Sequence, residues 1–188
     1  AKPACESYAP YDLRNVGTLI RLGHKKLALE ALHFFLADQR PAGWNQWAEI
    51  VWKDPRKPAF IGDMPHTWVG SGYIRSLRSL FAYEREADRA LVLAAGLARS
   101  WVDTAPGVAV ERLSTDYGSI SYSARRDSAG RVRISIHGNL HEPPDLIEVV
   151  SPYDEPLAGV SIDGQDVEGF APDRVKITSL PADVVFRY

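Results

Sequence analysis

The apolar residues of this chain change their spacing near residues 84–89, EREADR, from a helical repeat to a repeat of two. Before that point, apolar side chains recur every three or four residues, which is typical of helices that bury one face. After it, short runs alternate apolar with polar residues, which is typical of antiparallel strands. The sequence therefore predicts a helical part over residues 1–86 and a β part over residues 87–188.

Three helices are predicted in the first part. DLRNVGTLIRLG has helical spacing, with Asp12 as a candidate N-cap and Gly23 as the stop. HKKLALEALHFFLADQ follows after a one-glycine joint, which favours an antiparallel hairpin of helices. The third helix is predicted from about residue 65 to 83, because Pro65 suits a first helical turn. Three helices cannot bury all these apolar faces, so we expect them to pack against further helices.

About eight short strands are predicted in the second part. They are LVLAAG, VAVERL, SISYSARR, RVRISI, LIEVV, GVSI, RVKITSL and VVFRY. Asp127 to Gly130 and the pair Asp163–Gly164 stand where hairpin turns are needed. This number of strands over roughly 100 residues predicts an antiparallel β-sandwich. The predicted fold class is therefore α+β and multidomain.

Composition limits the classes of function. The 188 residues are 45% hydrophobic and 24% charged with a formal charge of -2, as in ordinary globular proteins. There is no basic stripe for nucleic acid and no apolar run of the roughly 20 residues that a membrane helix needs. Cys5 is the only cysteine, which excludes an internal disulfide and favours a spare thiol over a nucleophile. The N-terminal residues carry no signal-peptide core, and a periplasmic or secreted location is favoured over a cytoplasmic one.

Tryptophans cluster around one glutamate in GWNQWAEIVW. Trp44, Trp47 and Trp52 flank Glu49, and Trp68 follows in GDMPHTWVG, so four of the five tryptophans fall within 25 residues. Single tryptophans are usually core residues. A cluster in a long Pro- and Gly-rich connection is instead typical of an exposed aromatic surface, and loops of this length are often functional. Both interpretations remain open at this point.

The same stretch offers polar partners for sugar hydroxyls, which are Asn45, Gln46, Glu49, Asp63 and His66. Flat C–H faces of sugar rings pack on indole, so aromatic and polar groups together fit a carbohydrate. The apolar neighbours of Glu49 suit acid–base chemistry near neutral pH, and the alternative is a solvated ion pair. His66 has three candidate roles: capping the third helix, bonding a substrate hydroxyl, or orienting Glu49.

No cofactor or metal site is predicted. No second His or Cys stands near His66 at ligand spacing. His137 and His141, in IHGNLHEPP, form a less favoured two-histidine alternative. GSG at residues 70–72 lacks the lysine and the spacing of a phosphate loop.

The order of these motifs resembles the C-terminal end of a six-hairpin glycoside hydrolase of the glucoamylase-like or α-L-rhamnosidase-like kind. The resembling segments are WAEI at 47–50, MPHTWVGSGYIRSL at 64–77, and the sandwich segments from LVLAAGLARSWVD to VKITSLPADVVFRY. In such enzymes an (α/α)6 toroid carries the active site and a β-sandwich follows it. The resemblance implies the last helices of a toroid over residues 1–86 and the C-terminal sandwich over residues 87–188.

The resemblance also implies roles for residues. Glu49 would be the general base of an inverting glycosidase, and the substrate-binding residues would be Trp44, Trp47, Trp52, Asp63, His66 and Trp68. The general acid of these families lies in an earlier helical hairpin that this sequence does not include, so we expect the chain alone to be inactive. Its partners would be a carbohydrate and the remainder of the toroid. The alternatives are a non-catalytic carbohydrate-binding module and a structural module with core tryptophans.

Overall fold

The computed structural model describes residues 7–40, 42–52, 54, 62–142 and 144–188. The chain divides into two compact units, Ala1–Ser79 and Leu80–Tyr188. The predicted assignment of 1–86 to a toroid and 87–188 to a sandwich domain stays a prediction. Cys5 lies outside the described residues, as do Lys53 and Arg56, the cations nearest to Glu49 in the sequence.

The first unit is mainly helical. In chain order its elements are β1 (Ser7–Tyr8), a 3₁₀ turn (Pro10–Leu13), α1 (Arg14–Arg21), α2 (Lys25–Ala37), β2 (Val51–Trp52) and α3 (Thr67–Phe81), whose last two residues belong to the second unit. β1 and β2 pair in antiparallel fashion. The three predicted helices are present, but they do not by themselves establish a toroid.

The ends of α1 show one correct and one wrong prediction. Gly23 follows α1 with a φ of 79°, in the left-handed region that favours glycine, so it ends the helix as predicted. Asp12 is not the N-cap of α1. It lies inside the 3₁₀ turn, and the N-cap is Leu13, without a side-chain hydrogen bond. The 3₁₀ turn runs directly into α1, so Asp12 does not have the extended backbone of a capping residue.

The first unit has a small core in which one of the tryptophans takes part. Leu13, Phe35, Trp47 and Val69 are buried together, and Tyr11 and Tyr73 pack against them. α1 approaches α3 closely at Gly17, where a Cβ atom would stand 3.3 Å from the Ser79 hydroxyl oxygen. The hydroxyl of Ser76 donates a 3.0 Å hydrogen bond to the Leu13 carbonyl. These contacts fix α3 beside the start of α1.

Some apolar side chains on the helices, or directly after them, stay in contact with solvent. Leu22, Leu27 and Ile74 are 65%, 53% and 66% exposed. Among the described residues, none of the helices combines the length and the apolar character that crossing a bilayer requires.

The second unit is built from strands. Its elements are β3 (Ala82–Arg85), a 3₁₀ turn (Glu86–Asp88), β4 (Ala90–Leu93), α4 (Arg99–Asp103), β5 (Val108–Thr115), β6 (Gly118–Arg126), β7 (Val132–Leu140), β8 (Leu146–Val150), β9 (Gly159–Ile162), β10 (Gln165–Val167), β11 (Arg174–Ile177) and β12 (Ala182–Arg187). All eight predicted strands are present. The predicted turns join β6 to β7 and β9 to β10.

These strands form two sheets. One has the order β10-β9-β12-β7-β6-β5 and is antiparallel throughout, and the other has the order β11-β8-β4-β3. β4 and β8 pair in parallel, unlike the predicted pattern, because three strands of the other sheet separate them along the chain. Buried side chains of both sheets form one hydrophobic core, which includes Leu91, Ile120, Ile134, Val149 and Val184. The fold is therefore α+β, with two largely antiparallel sheets.

One ion-pair group centres on a buried carboxylate of β8, an interior strand of the four-stranded sheet. Oε2 of Glu148, on β8, lies 2.9 Å from a guanidinium nitrogen of Arg85 and 3.3 Å from one of Arg174. Burial raises the pKa of Glu148, but the hydrogen bonds and charges of the two arginines outweigh it and hold the pKa below its ordinary value.

Candidate functional site

Residues 47–50 lie beside residues 62–66, held by backbone hydrogen bonds. The amide of His66 donates to the Trp47 carbonyl at 2.7 Å, and the amide of Glu49 donates to the Asp63 carbonyl at 3.0 Å. The amide of Gly62 donates to the Ile50 carbonyl at 3.2 Å. This pairing places the WAEI segment against the GDMPH segment directly before α3 begins.

Glu49 is half-buried and packs on a glycine. A Cβ atom at Gly62 would stand 2.8 Å from both Cβ and Oε2 of Glu49. Any other residue at position 62 would therefore displace the carboxylate or the backbone. Within the described part of the chain, no cation pairs with this carboxylate. The cations nearest to it in the sequence, Lys53 and Arg56, lie outside that part, so the ion-pair alternative stays open.

His66 caps α3. The backbone amide of Val69 donates to Nδ1 of His66 at 3.3 Å, as an N-cap side chain accepts from the first helical turn. The other ring nitrogen, Nε2, lies 3.1 Å from the Tyr11 hydroxyl. The ring of Tyr11 also contacts Trp68 edge to face, with centroids 6.4 Å apart. Of the three predicted roles of His66, the capping role is the one with a hydrogen bond to support it.

The clustered tryptophans have different environments. Trp68 and Trp44 are 74% and 62% exposed, whereas Trp47 is 8% exposed and packs against Tyr73. Trp52 is half-buried on β2. The choice between core and exposed surface is therefore answered differently for each indole. The burial of Trp47 does not fit its predicted contact with sugar. Trp44 and Trp68 are exposed, so a contact between sugar and either of these two indoles stays a prediction.

Two clefts adjoin Trp68. The larger, about 730 Å³, lies between the start of α1 and α3, and we call it the arginine cleft. Its lining includes Tyr11, Asp12, Arg14, Thr18, Arg21, Trp68, Ser71, Gly72, Arg75, Ser76 and Ser79. The smaller, about 410 Å³, is lined by Asp63, Pro65, His66, Thr67, Trp68 and Ser71. Three of the predicted site residues, Asp63, His66 and Trp68, thus share one cleft, and Glu49 lines neither cleft.

Three contributors to this region were not predicted. Tyr11 is 55 positions from His66 in the chain, and a local sequence pattern cannot predict a contact over that separation. Gly62 was visible only as the glycine of GDM. The arginines of the cleft had a detectable signal, because Arg14, Thr18 and Arg21 recur at helical spacing on one face of α1.

The residues that the structure describes contain no group of three or more His, Cys, Asp or Glu side chains able to hold a metal ion. His137 and His141, the less favoured alternative, are both exposed near the end of β7. No third ligand accompanies them among these residues.

Comparisons with known proteins give little. No family model and no curated protein matches the chain. Among solved structures, the chain is similar to a GH127 β-L-arabinofuranosidase from Geobacillus stearothermophilus T6, with 14% identity and a TM-score of 0.34. The match covers 65% of this chain and 18% of that protein, so the chain spans less than a fifth of its length. A likeness of this size does not establish a shared fold or activity.

Proposed function

We propose that the chain is the C-terminal part of a six-hairpin glycoside hydrolase, with Glu49 as the general base. The observation that carries the proposal is the placement of Glu49. Its side chain is half-buried and packs on Gly62, in the segment that leads into α3. The motif order WAEI, then MPHTW at the start of a helix, supports the same role by resemblance.

The proposed chemistry is an inverting hydrolysis. Glu49 would take a proton from a water molecule as that water attacks the anomeric carbon, and a second carboxylic acid would protonate the leaving oxygen. The two carboxyl groups of inverting enzymes stand about 6.5–9.5 Å apart, which leaves room for the water. We place that acid in helices that precede this chain in the intact protein, because the resembling families carry it in an earlier hairpin.

The roles of the neighbouring residues follow from their environments. Trp68 and Trp44 are the exposed indoles and are proposed to pack on sugar rings. Asp63 and His66 line the smaller cleft beside Trp68 and would bond sugar hydroxyls. Trp47 is assigned a positioning role, since it is buried and its carbonyl holds the amide of His66.

The proposal includes a partner for the exposed helix surface. Leu22, Leu27 and Ile74 are apolar and exposed in the first unit. We assign them to contacts with the remainder of the toroid. Such contacts would be stabilised by about 25 cal/mol for each Å² of apolar area removed from water.

The test is Glu49→Gln in the intact gene product that carries this chain. Turnover of its glycoside should fall by several orders of magnitude while binding of the same glycoside is retained, because glutamine keeps the shape and hydrogen-bonding capacity but cannot accept the proton. Glu168→Gln, an exposed carboxylate in the second unit, is the matched control. Unchanged turnover in Glu49→Gln would overturn the proposal.

A second candidate function is non-catalytic carbohydrate binding. The 74% exposure of Trp68, at the junction of two clefts, favours it independently of Glu49. In that case, Glu49 would only accept a hydrogen bond from a sugar hydroxyl. Trp68→Ala would abolish binding of a glycan, and Glu49→Gln would leave turnover by the intact protein unchanged.

A further inference from the structure

The arginine cleft has an excess of positive charge. Arg14 and Arg21 line it from α1, Arg75 lines it from α3, and Asp12 is the acidic residue in its lining. Arg14 lies close to the opposite helix, since a Cβ atom at Gly72 would stand 3.7 Å from the Cβ of Arg14. Three arginines from two helices thus border one cavity.

Two of these arginines have no ionic partner in the part of the chain that the structure describes. Neither Arg14 nor Arg75 forms an ion pair there, and both are exposed. Other arginines of the molecule behave differently: Arg85, Arg99 and Arg174 are each paired with carboxylates. Planar guanidinium groups bind oxyanions with two parallel hydrogen bonds, so unpaired arginines bordering a cleft favour an anionic ligand.

The rest of the lining indicates what carries the anion. Trp68, whose side chain is largely exposed, lines the cleft, and Ser71 is exposed on the next turn of α3. A sugar ring has one face of C–H bonds that packs on indole and hydroxyls that bond to serine. Ser76 and Ser79 also line the cleft, but they contribute few hydrogen-bond donors for a ligand. Their hydroxyls already donate to the Leu13 and Arg75 carbonyls.

We infer that the arginine cleft binds an acidic sugar, with Arg14 and Arg75 contacting its oxyanion and Trp68 packing on its ring. This inference rests on the proposed carbohydrate function and narrows its substrate class to glycans that carry carboxylate or sulfate groups. It assigns binding of the anionic group to arginines of α1 and α3, and the proposed general base is still Glu49.

The experiment is calorimetric titration of the chain with short oligogalacturonate and with the same oligosaccharide after methyl esterification, which removes the charges and keeps the backbone. A sulfated galactan oligosaccharide distinguishes sulfate from carboxylate as the source of the oxyanion. The variants are Arg14→Gln, Arg75→Gln and Trp68→Ala, with Arg125→Gln, an exposed arginine of β6 in the second unit, as the charge-matched control.

The acidic form, or the sulfated one, should bind at least about tenfold more tightly than the ester. The free energy of one charge-assisted hydrogen bond corresponds to about a tenfold or larger change in the dissociation constant. Arg14→Gln and Arg75→Gln should each weaken binding about tenfold, and Arg125→Gln should not. Equal binding of acid and ester, or unaffected Arg14→Gln and Arg75→Gln variants, would overturn the inference. Equally good displacement of the oligosaccharide by polyglutamate would also overturn it, in favour of an acidic peptide.

Failure here is distinguishable from failure of the proposed function. Loss of charge preference with retained binding of neutral sugar leaves Glu49 and the glycosidase proposal intact. Unchanged turnover in Glu49→Gln leaves the arginine-dependent binding intact.

Discussion

The carboxylate of Glu49 lies directly over Gly62, with Oε2 2.8 Å from the position that a Cβ atom of residue 62 would occupy. A contact this short is not tolerated between real atoms, so the placement of Glu49 depends on the missing side chain of its neighbour. The amide of Gly62 also donates to the Ile50 carbonyl, which holds the glycine backbone in place beneath the carboxylate.

Gly62→Ala should therefore impair Glu49 without removing it. A misplacement of about 1 Å costs on the order of 100-fold in rate, so turnover in the intact protein should fall by about that factor. Gly70→Ala is the control, since its added Cβ would meet no atom within 4 Å apart from its chain neighbours and the backbone of its own helix. Equal turnover in the two variants would show that Glu49 needs no such placement.

Trp47 and Trp68 should respond oppositely to truncation. Trp47→Ala should lower the free energy of unfolding of the first unit by about 3–5 kcal/mol, because it empties a buried site. Trp68→Ala should change it by less than about 0.5 kcal/mol, as is usual for exposed positions. Urea titration followed by far-ultraviolet circular dichroism measures both, and a large loss in Trp68→Ala would contradict the exposed position.

His66 should contribute stability through α3. His66→Ala removes the acceptor of the Val69 amide and should cost about 1 kcal/mol, whereas His66→Asn should recover most of it because an asparagine side chain also caps. His24→Ala is a matched control. His24 precedes α2 in the same position but makes no side-chain capping bond. Equal losses in the two alanine variants would argue against capping.

Glu148→Gln should destabilise the second unit by about 2 kcal/mol at neutral pH. The charge-assisted bonds to Arg85 and Arg174 are weakened, but both arginines are about one-third exposed, and solvent moderates the loss.

The pH dependence of that loss has a definite sign. The pKa of Glu148 is lowered in the folded state, so its contribution is fully present above the ordinary glutamate pKa of about 4.3 and is lost as pH falls through the folded value. Thermal denaturation of both proteins from neutral to acidic pH should show the difference between them shrinking below about pH 4. Glu168→Gln serves as the exposed control, and a constant difference would contradict the ion-pair assignment.

The sequence predicted best where one face of an element is buried. The strand RVRISI could be recognised because Val132, Ile134 and Ile136 alternate with polar residues, and all three are buried in β7. β3 was missed because it follows α3 without a break and shares its apolar spacing. β10, QDV, is too short and too polar to carry a period.

The site was less accessible to prediction than the strands. Local sequence placed Glu49, His66 and Trp68 in one region, but it could not tell the buried Trp47 from the exposed Trp68. That distinction depends on which face of the GWNQWAEIVW segment meets Phe35 and Val69, which are distant in sequence. The contact of His66 with Tyr11 is of the same kind.

The cap on α3 also fixes the direction of a hydroxyl hydrogen. Because Nδ1 of His66 accepts from the Val69 amide, the neutral ring carries its hydrogen on Nε2 and donates it to the Tyr11 oxygen. The phenolic hydrogen of Tyr11 therefore takes no part in the hydrogen bond with His66. Tyr11 also lines the arginine cleft. A backbone amide of a helix thereby sets the direction of the hydrogen bond between His66 and Tyr11, and it leaves the phenolic hydrogen of Tyr11 available to another acceptor.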